Sequence, residues 1–239
     1  MAESSKRPVA VITGVGPGLG AALARRFAQG YAVAINARRA DYLRTLASEI
    51  RGAPGATVLE APADIGDRAQ VEAAFKLIRE QLGAPDVLVY NAGSGKWGNV
   101  LEVSPEDFES SWRVNAYGAF LASREVVPAM LSRGHGVILF TGATAGVKAG
   151  AKSAAFGPAK FALRGLAQSM ARDLGPKGIH VAWINVDGVI DIPGRKIPGF
   201  KPEDLLDPAA IAETYWHLAH QHLSAWTTEL EVRPFKEKF

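Results

Sequence analysis

The run Thr13-Gly14-Val15-Gly16-Pro17-Gly18-Leu19-Gly20 holds the densest set of chemically suggestive residues in the chain. Glycines at this spacing let a backbone turn tightly and approach a pyrophosphate. A helix opening at Leu19 would aim its unpaired N–H groups and positive dipole end at the same anion. A second group stands at Ile35-Asn36-Ala37-Arg38-Arg39. A carboxylate at the end of a second strand would bind the ribose 2′-hydroxyl of NAD, whereas an arginine there suits the 2′-phosphate of NADP. No acid occurs here before Asp41, and a guanidinium brings a fixed charge and a two-pronged donor fork. The expected ligand is therefore NADP(H), held by Arg38 with Arg39 adding to the field. The competing reading is two solvated arginines at a helix start. His217, His220 and His222 form a third group. His217 and His220 share a helix face, but no carboxylate or cysteine cluster accompanies them, and histidines suit a helix C-terminus, so no metal is expected.

These groups need elements to carry them. Short β-rich apolar runs alternate with longer segments of helical period, the signature of βαβ units and a parallel sheet. The spacing predicts strands over Val9 to Thr13, Ala32 to Asn36, Thr57 to Ala61, Val87 to Tyr90, Val137 to Thr141 and His180 to Val186, with Glu229 to Val232 as a seventh. Between them, Leu19, Leu23 and Phe27, then Tyr42, Leu46 and Ile50, then Val71, Phe75 and Ile78 each supply an apolar stripe. Ser104-Pro105-Glu106-Asp107 reads as an N-cap, Pro at the first helical position and acids in the first turn, opening a helix to about Arg133. Another helix spans about Ala155 to Leu174, with Phe161, Leu166, Met170 and Leu174 inward and Gly175-Pro176 ending it. A last helix is expected over Pro208 to Leu223. The Gly- and Pro-rich stretch from Asp187 to Pro208 reads as a substrate loop.

The chain has 239 residues, 48% of them hydrophobic, with 25 Gly and 14 Pro. The fold class expected is α/β: a single Rossmann-type, doubly wound domain over residues 1–239, with about seven parallel strands and helices on both faces. No cysteine is present, which excludes disulfides and thiolate chemistry and makes the cytoplasm the default location. The opening Met1 to Pro8 has no apolar leader core, and no run approaches the roughly 18 apolar residues of a membrane helix. The formal charge is only +3. A pI of about 9.2 is spread among acids, so neither nucleic acid nor membrane is an expected partner.

The phosphate loop Thr13-Gly14-(three residues)-Gly18-Leu19-Gly20 resembles the cofactor motif of the short-chain dehydrogenase/reductase family, and four later segments agree in order. Asp64-Ile65 resembles the family's adenine contact and Asn91-Ala92-Gly93 its Asn-Ala-Gly turn. Asn115 falls where the family has its structural and catalytic Asn, and Lys160 where it has the Lys of Tyr-x-x-x-Lys. The similarity runs from about Pro8 to Asp191. By the same pattern Ala37 replaces the NAD-selective Asp, Gly188 stands in the Pro-Gly stretch, and Ile190 would contact the nicotinamide amide. The resemblance implies an NADP(H)-dependent oxidoreductase of a small or medium carbonyl or alcohol. It also implies a homodimer or homotetramer built on the two long helices, although the tail from Glu229 to Phe239 lacks the family's Gly-rich last turn.

In that family a Tyr hydroxyl serves as acid, the Lys lowers the Tyr pKa and holds the nicotinamide ribose, and a Ser hydroxyl polarises the substrate. Here the expected Tyr position is Phe156 and the expected Ser position is Ala143. Three readings stay open. A substitute donor acts: Thr144, Ser153, Lys160 itself with a depressed pKa, or an ordered water on Lys160. Alternatively the protein keeps the nucleotide as a sensor or partner subunit and has lost the chemistry. Or the register of the Gly146 to Ala155 loop is shifted, which restores no Tyr, because none lies between Tyr117 and Tyr215. Asp187 is an unexpected carboxylate near the nicotinamide position, functional or a turn former. Trp97, Trp216 and Trp226 would line a pocket, line an interface or fill the core.

Overall fold

A computed structural model describes residues 7–236. Most of the leader reading, on residues 1–6, and the end of the tail, residues 237–239, lie outside the described residues. The strands are β1 (Val9–Thr13), β2 (Ala32–Ile35), β3 (Thr57–Glu60), β4 (Val87–Tyr90), β5 (Gly136–Thr141), β6 (Ile179–Val186) and β7 (Glu229–Val232). They form one seven-stranded sheet in the order β3-β2-β1-β4-β5-β6-β7, and every pairing is parallel. β1 and β6 are buried at every position, as continuous apolar runs must be when helices cover both faces of a sheet. The strand order reverses between β1 and β4, which opens a crevice at their carboxyl ends.

The helices are α1 (Leu19–Phe27), α2 (Ala40–Arg51), α3 (Arg68–Gln81), α4 (Pro105–Trp112), α5 (Gly118–Arg133), α6 (Phe156–Leu174) and α7 (Pro208–Ala219). One core layer joins Leu23, Phe27, Leu43 and Ile50 to Ile211 and Tyr215 on one sheet face. The other joins Phe75, Ile78, Val126, Met130 and Leu163 on the opposite face. The doubly wound α/β architecture expected from the alternating pattern is the one observed.

Several elements differ in detail. The long helix from Ser104 does begin with a cap, the Ser104 hydroxyl accepting from the Asp107 N–H at 3.1 Å. It is not continuous: residues Arg113–Tyr117 widen into a π-turn that carries Asn115, a bulge type that recurs at functional sites. Phe161 faces out, 44% exposed, because the inward stripe of α6 runs through Ala159, Leu163 and Ala167 and Phe161 lies about 200° around the helix from Leu163. The last helix stops at Ala219 rather than Leu223. There His220 takes the helical hydrogen bond over: its Nδ1–H donates to the Trp216 carbonyl at 2.7 Å, and Nε2 lies 3.2 Å from the Tyr31 hydroxyl. Trp216 packs against Phe27 and Tyr31, and Trp226 stacks on His180. Of the three tryptophans weighed as pocket residues, only Trp97 borders the cleft described below.

The stretch from Asp187 to Pro208 is partly ordered by its own backbone. Leu206 N–H donates to Val189 O and Asp191 N–H to Leu206 O, both at 2.9 Å, closing a bridge between Ile190 and Leu206. A short 3₁₀ turn covers Pro202–Asp204.

Candidate active site

Two adjoining cavities occupy the crevice. The first, about 310 Å³, is lined by Gly14, Gly16, Pro17, Arg38, Arg39, Asp64, Ile65, Asn91, Ala92 and Gly93, among others. Its floor is backbone. Gly14 has φ +68°, and a Cβ there would sit 2.4 Å from the Ala92 Cα; at Gly16 a Cβ would meet nothing within 4 Å. The first glycine is thus demanded by the fold, whereas the second leaves open space that a phosphate of a bound dinucleotide would fill. Leu19 and Gly20 do not border this cavity: Leu19 is buried in the core, and Gly20 lies against the Gly14 carbonyl at a distance no Cβ tolerates. Gly18 approaches Asp191 and Ile192, so the segment after β6 reaches across to the glycine loop.

The two arginines at the far lip differ. Arg39 is held by Asp41 at 3.1 Å, which raises the Arg39 pKa and lowers that of Asp41 through their hydrogen bond. Arg38 has no carboxylate partner among the described residues, and its guanidinium stays available for an anion. On the opposite lip Asp64 is turned inward to its own loop, Oδ1 accepting from the Gly66 N–H at 2.9 Å.

The second cavity, about 940 Å³, shares Gly93 and Ser94 with the first. Its walls include Trp97, Ala143, Thr144, Phe156, Lys160 and Asp187, with Gly188, Val189, Ile190 and Phe200 from the loop after β6. The Trp97 and Phe156 rings meet at 5.1 Å between centroids. They are carried there by the paired segments around Gly98 and Ser153.

Lys160 sits at the junction of the cavities, 4% exposed. Its Nζ donates to the Thr141 carbonyl at 2.8 Å and lies 5.6 Å from the Phe156 ring centroid. Burial without a carboxylate lowers its pKa to about 8. Asn115 is fully buried, its Nδ2 donating to Ser94 O and Ser111 O at 2.8 Å each. Its Oδ1 has no hydrogen-bond partner. That oxygen and Lys160 Nζ flank the same point above Gly93, 3.4 and 3.7 Å from where a Cβ would stand. An unpaired buried acceptor beside an amine is a place for a bound hydroxyl or water.

The two expected hydroxyl donors are otherwise engaged. Ser153 gives its proton to Gly150 O at 2.7 Å. The Thr144 hydroxyl donates to Asp187 Oδ1, and Asp187 Oδ2 pairs with Arg233 at 3.2 Å. Ala143 and Phe156 offer no donor. Sequence reasoning missed two residues that stand behind this wall, outside the cavity lining. Tyr215, on α7, donates its O–H to Thr141 Oγ1 at 2.7 Å, and the Thr141 hydroxyl then donates to Asn91 Oδ1 at 3.2 Å. Asn91 Nδ2 in turn donates to Gly14 O at 3.0 Å. A hydrogen-bonded chain therefore runs from α7 under Lys160 to the glycine loop, and burial drives the Tyr215 pKa above its ordinary value. Arg233, just past β7, is the other. Neither carried a signal in the sequence, since each is brought in from a distant element. His217, His220 and His222 lie elsewhere, and no group of three or more His, Cys, Asp or Glu is arranged for a metal among the described residues. No described helix is long and apolar enough to cross a membrane.

The same architecture recurs in known proteins. The short chain dehydrogenase family pattern matches residues 8–192. The short-chain dehydrogenase/reductase eriH of Hericium erinaceus is 36% identical over 181 residues, covering 73% of this chain and 71% of that one. An alcohol dehydrogenase from the archaeon Thermococcus sibiricus, solved with 5-hydroxy-NADP, superposes with a TM-score of 0.88 at 29% identity, covering 97% and 98% of the two chains. L-sorbose reductase from Gluconobacter frateurii, solved with NADPH and L-sorbose, gives a TM-score of 0.87 at 26% identity over 96% of each chain. With the glycine loop, the strand-end crevice and the buried lysine on one seven-stranded parallel sheet, this chain belongs to the short-chain dehydrogenase/reductase family.

Proposed function

We propose that the protein is an NADP(H)-dependent oxidoreductase of a small or medium carbonyl or alcohol, with residues 1–239 as one dinucleotide-binding domain and an atypical proton-handling site. The observation that carries this reading is the junction at Gly93 and Ser94, where a glycine-floored cavity with the unpaired Arg38 at its lip opens into an apolar one beside the buried Lys160. Gly14, Gly16, Pro17 and Gly18, with the helix start at Leu19 and Gly20 behind them, cradle the pyrophosphate. Arg38, assisted by Arg39, takes the 2′-phosphate. Asp64 and Ile65 border the adenine, and Asn91, Ala92 and Gly93 support the ribose. Gly188 and Ile190 close over the nicotinamide, which when bound supplies the hydride chemistry. Related proteins solved with NADP or NADPH support this choice of dinucleotide.

In this reading Lys160 holds the nicotinamide ribose and sets a positive charge beside the substrate oxygen. Below pH about 8 its amine is an ammonium with three donors, only one of them spent on Thr141. Asn115 Oδ1 anchors the hydroxyl or water that links Lys160 to the cavity. Phe156 and Ala143 occupy the family's Tyr and Ser positions and turn that wall apolar. A homodimer or homotetramer through α4, α5 and α6 is supported by Phe108, Trp112, Phe120 and Phe161, large side chains left 42–45% exposed on those helices.

Calorimetric titration with NADPH and NADH tests the dinucleotide: NADPH should bind at least about tenfold more tightly, about 1.4 kcal/mol, and equal affinity would overturn the choice. Turnover across a carbonyl and alcohol panel should fall by about 10²–10⁴-fold in Lys160→Ala. The loss of both hydroxyls favours a second reading, a catalytically silent NADP-binding sensor. Silence of the wild type with activity gained in Ala143→Ser plus Phe156→Tyr would establish it.

A further inference from the structure

The wall of the larger cavity also holds a hydrogen-bonded series that the mechanism above leaves unused. Asp187 stands at the end of β6, with its backbone N–H tied to Val232 O at 2.9 Å. Its carboxylate is almost sealed, the side chain 7% exposed. Behind it, outside the cavity lining, Arg233 grips one carboxylate oxygen at 3.2 Å, and Arg233 also meets Glu231 at 3.4 Å. In front of it the Thr144 hydroxyl is bonded to the other oxygen, and Thr144 and Asp187 both line the cavity.

The direction of that bond is fixed by chemistry. An ionised carboxylate only accepts, so the proton between the two belongs to Thr144 and points at Asp187. What the Thr144 oxygen has left to offer is lone pairs. It is therefore unsuited to polarising a carbonyl oxygen, which needs a donor, and suited to receiving one from a hydroxyl.

We infer that Thr144 and Asp187, backed by Arg233, are the acceptor and proton store for the substrate hydroxyl in place of a tyrosine. The inference rests on the dinucleotide reading above. In the oxidising direction the alcohol O–H bond breaks as its proton passes to Thr144 Oγ, and the Thr144 proton passes to Asp187 Oδ1. The oxidised dinucleotide, when bound, would supply the acceptor for the hydride of the same carbon, so that the substrate loses two electrons as its C=O forms. The carboxylic acid then returns the proton to water. Reduction runs the same transfers backwards from the protonated carboxyl group, which donates to Thr144 Oγ and so frees the Thr144 proton for the carbonyl oxygen. Lys160 steadies the oxygen as charge develops on it, and Arg233 keeps the carboxylate in place between turnovers.

The test uses the full chain saturated with NADP⁺ and two probes that share a ring and differ in one donor, benzyl alcohol and benzyl methyl ether, titrated calorimetrically. The alcohol should bind about tenfold more tightly. Thr144→Val should abolish that preference, and Thr144→Ser should keep it. Equal binding of the two probes, saturation by neither, or a preference that survives in Thr144→Val would each overturn the inference. Asp187→Asn, checked for an unchanged melting temperature, should also weaken the alcohol preferentially, and an unaltered preference there would remove Asp187 from the pair. NADP⁺ binding is measured first on the same samples. Its failure would sink the dinucleotide reading, whereas intact NADP⁺ binding with indifferent probes sinks only this one.

Discussion

The β1–β2–β4 end of the crevice and its β5–β6 end work with different materials. At the first, the floor is main chain: Gly14, Gly16 and Asn91 shape it, and Arg38 stands at the lip with no carboxylate partner among the described residues. At the second, the polar groups of the wall are side chains: Lys160, buried and bonded to the Thr141 carbonyl, and Thr144, bonded to the Asp187 carboxylate that Arg233 holds from behind. A backbone cradle tolerates almost any change that spares its glycines and its dipole, because the chemistry lies in N–H groups every residue carries. A side-chain site can be rebuilt one residue at a time, and a methyl or a phenyl ring in place of a hydroxyl alters the chemistry while leaving the fold alone.

That contrast can be broken most directly at Gly14. In Gly14→Ala, a Cβ at φ +68° would sit 2.4 Å from the Ala92 backbone. The variant should lose about 2–5 kcal/mol of stability in denaturant unfolding, from a strained backbone and an overlap with main chain. Gly16→Val sharpens the same comparison from the other side. Nothing lies within 4 Å of its Cβ position, so stability should stay within about 0.5 kcal/mol, while NADPH affinity falls by about a hundredfold, read by nicotinamide fluorescence. A matching loss of stability would make the second glycine a folding residue and remove the cradle's defining feature.

Arg38→Asp should weaken NADPH by about tenfold and improve NADH. Arg39→Ala should do less, because Asp41 already holds Arg39 at 3.1 Å. An equal effect at both positions would mean that the lip acts through net charge alone. The smallest effect is thermodynamic. Lys160 has its pKa lowered from 10.5 to about 8 in the folded chain. Between those values the unfolded chain binds the proton more tightly, so wild-type stability rises with pH there. Relative to Lys160→Met, the difference should be flat below pH about 8, then shift toward the wild type by about 1–3 kcal/mol by pH 10.5. A flat difference throughout would show that the amine is not desolvated.

Legibility in the sequence divides along the same line. β1 and β4 begin and end where the apolar runs do, since a strand buried on both faces leaves an uninterrupted signature. The glycine loop and Arg38 were legible as cavity-lining residues because backbone geometry and fixed charge restrict the residue type, and Lys160 through the resemblance of the motif around it. The π-turn around Asn115 was not, as nothing in Arg113 to Tyr117 marks a change from one helical pitch to another. Phe161 misled because an aromatic residue in an amphipathic helix reads as inward wherever it falls, and only the positions of Leu163 and Ala167 decide. Asp187 was noticed without its partners, for Thr144 is 43 residues before it in the chain and Arg233 is on the strand-end segment after β7. Tyr215 reached Thr141 from 74 residues away, a distance no local pattern spans.

The hydrogen bond from Asn91 to the Gly14 carbonyl joins residues 77 apart in the chain, and it sets a schedule for folding. β1 lies between β2 and β4, so the first βαβ unit can emerge and collapse while one edge of its leading strand still has no neighbour. The glycine loop stays unbraced until β4 has been made and inserted. Long-range parallel pairing of this kind is slow compared with helix formation. At roughly 5–20 residues per second of synthesis, a nascent chain would spend several seconds with an exposed β1 edge and no competent nucleotide cradle. A dinucleotide in the surrounding solution therefore acts late, locking a sheet that is already assembled rather than seeding it.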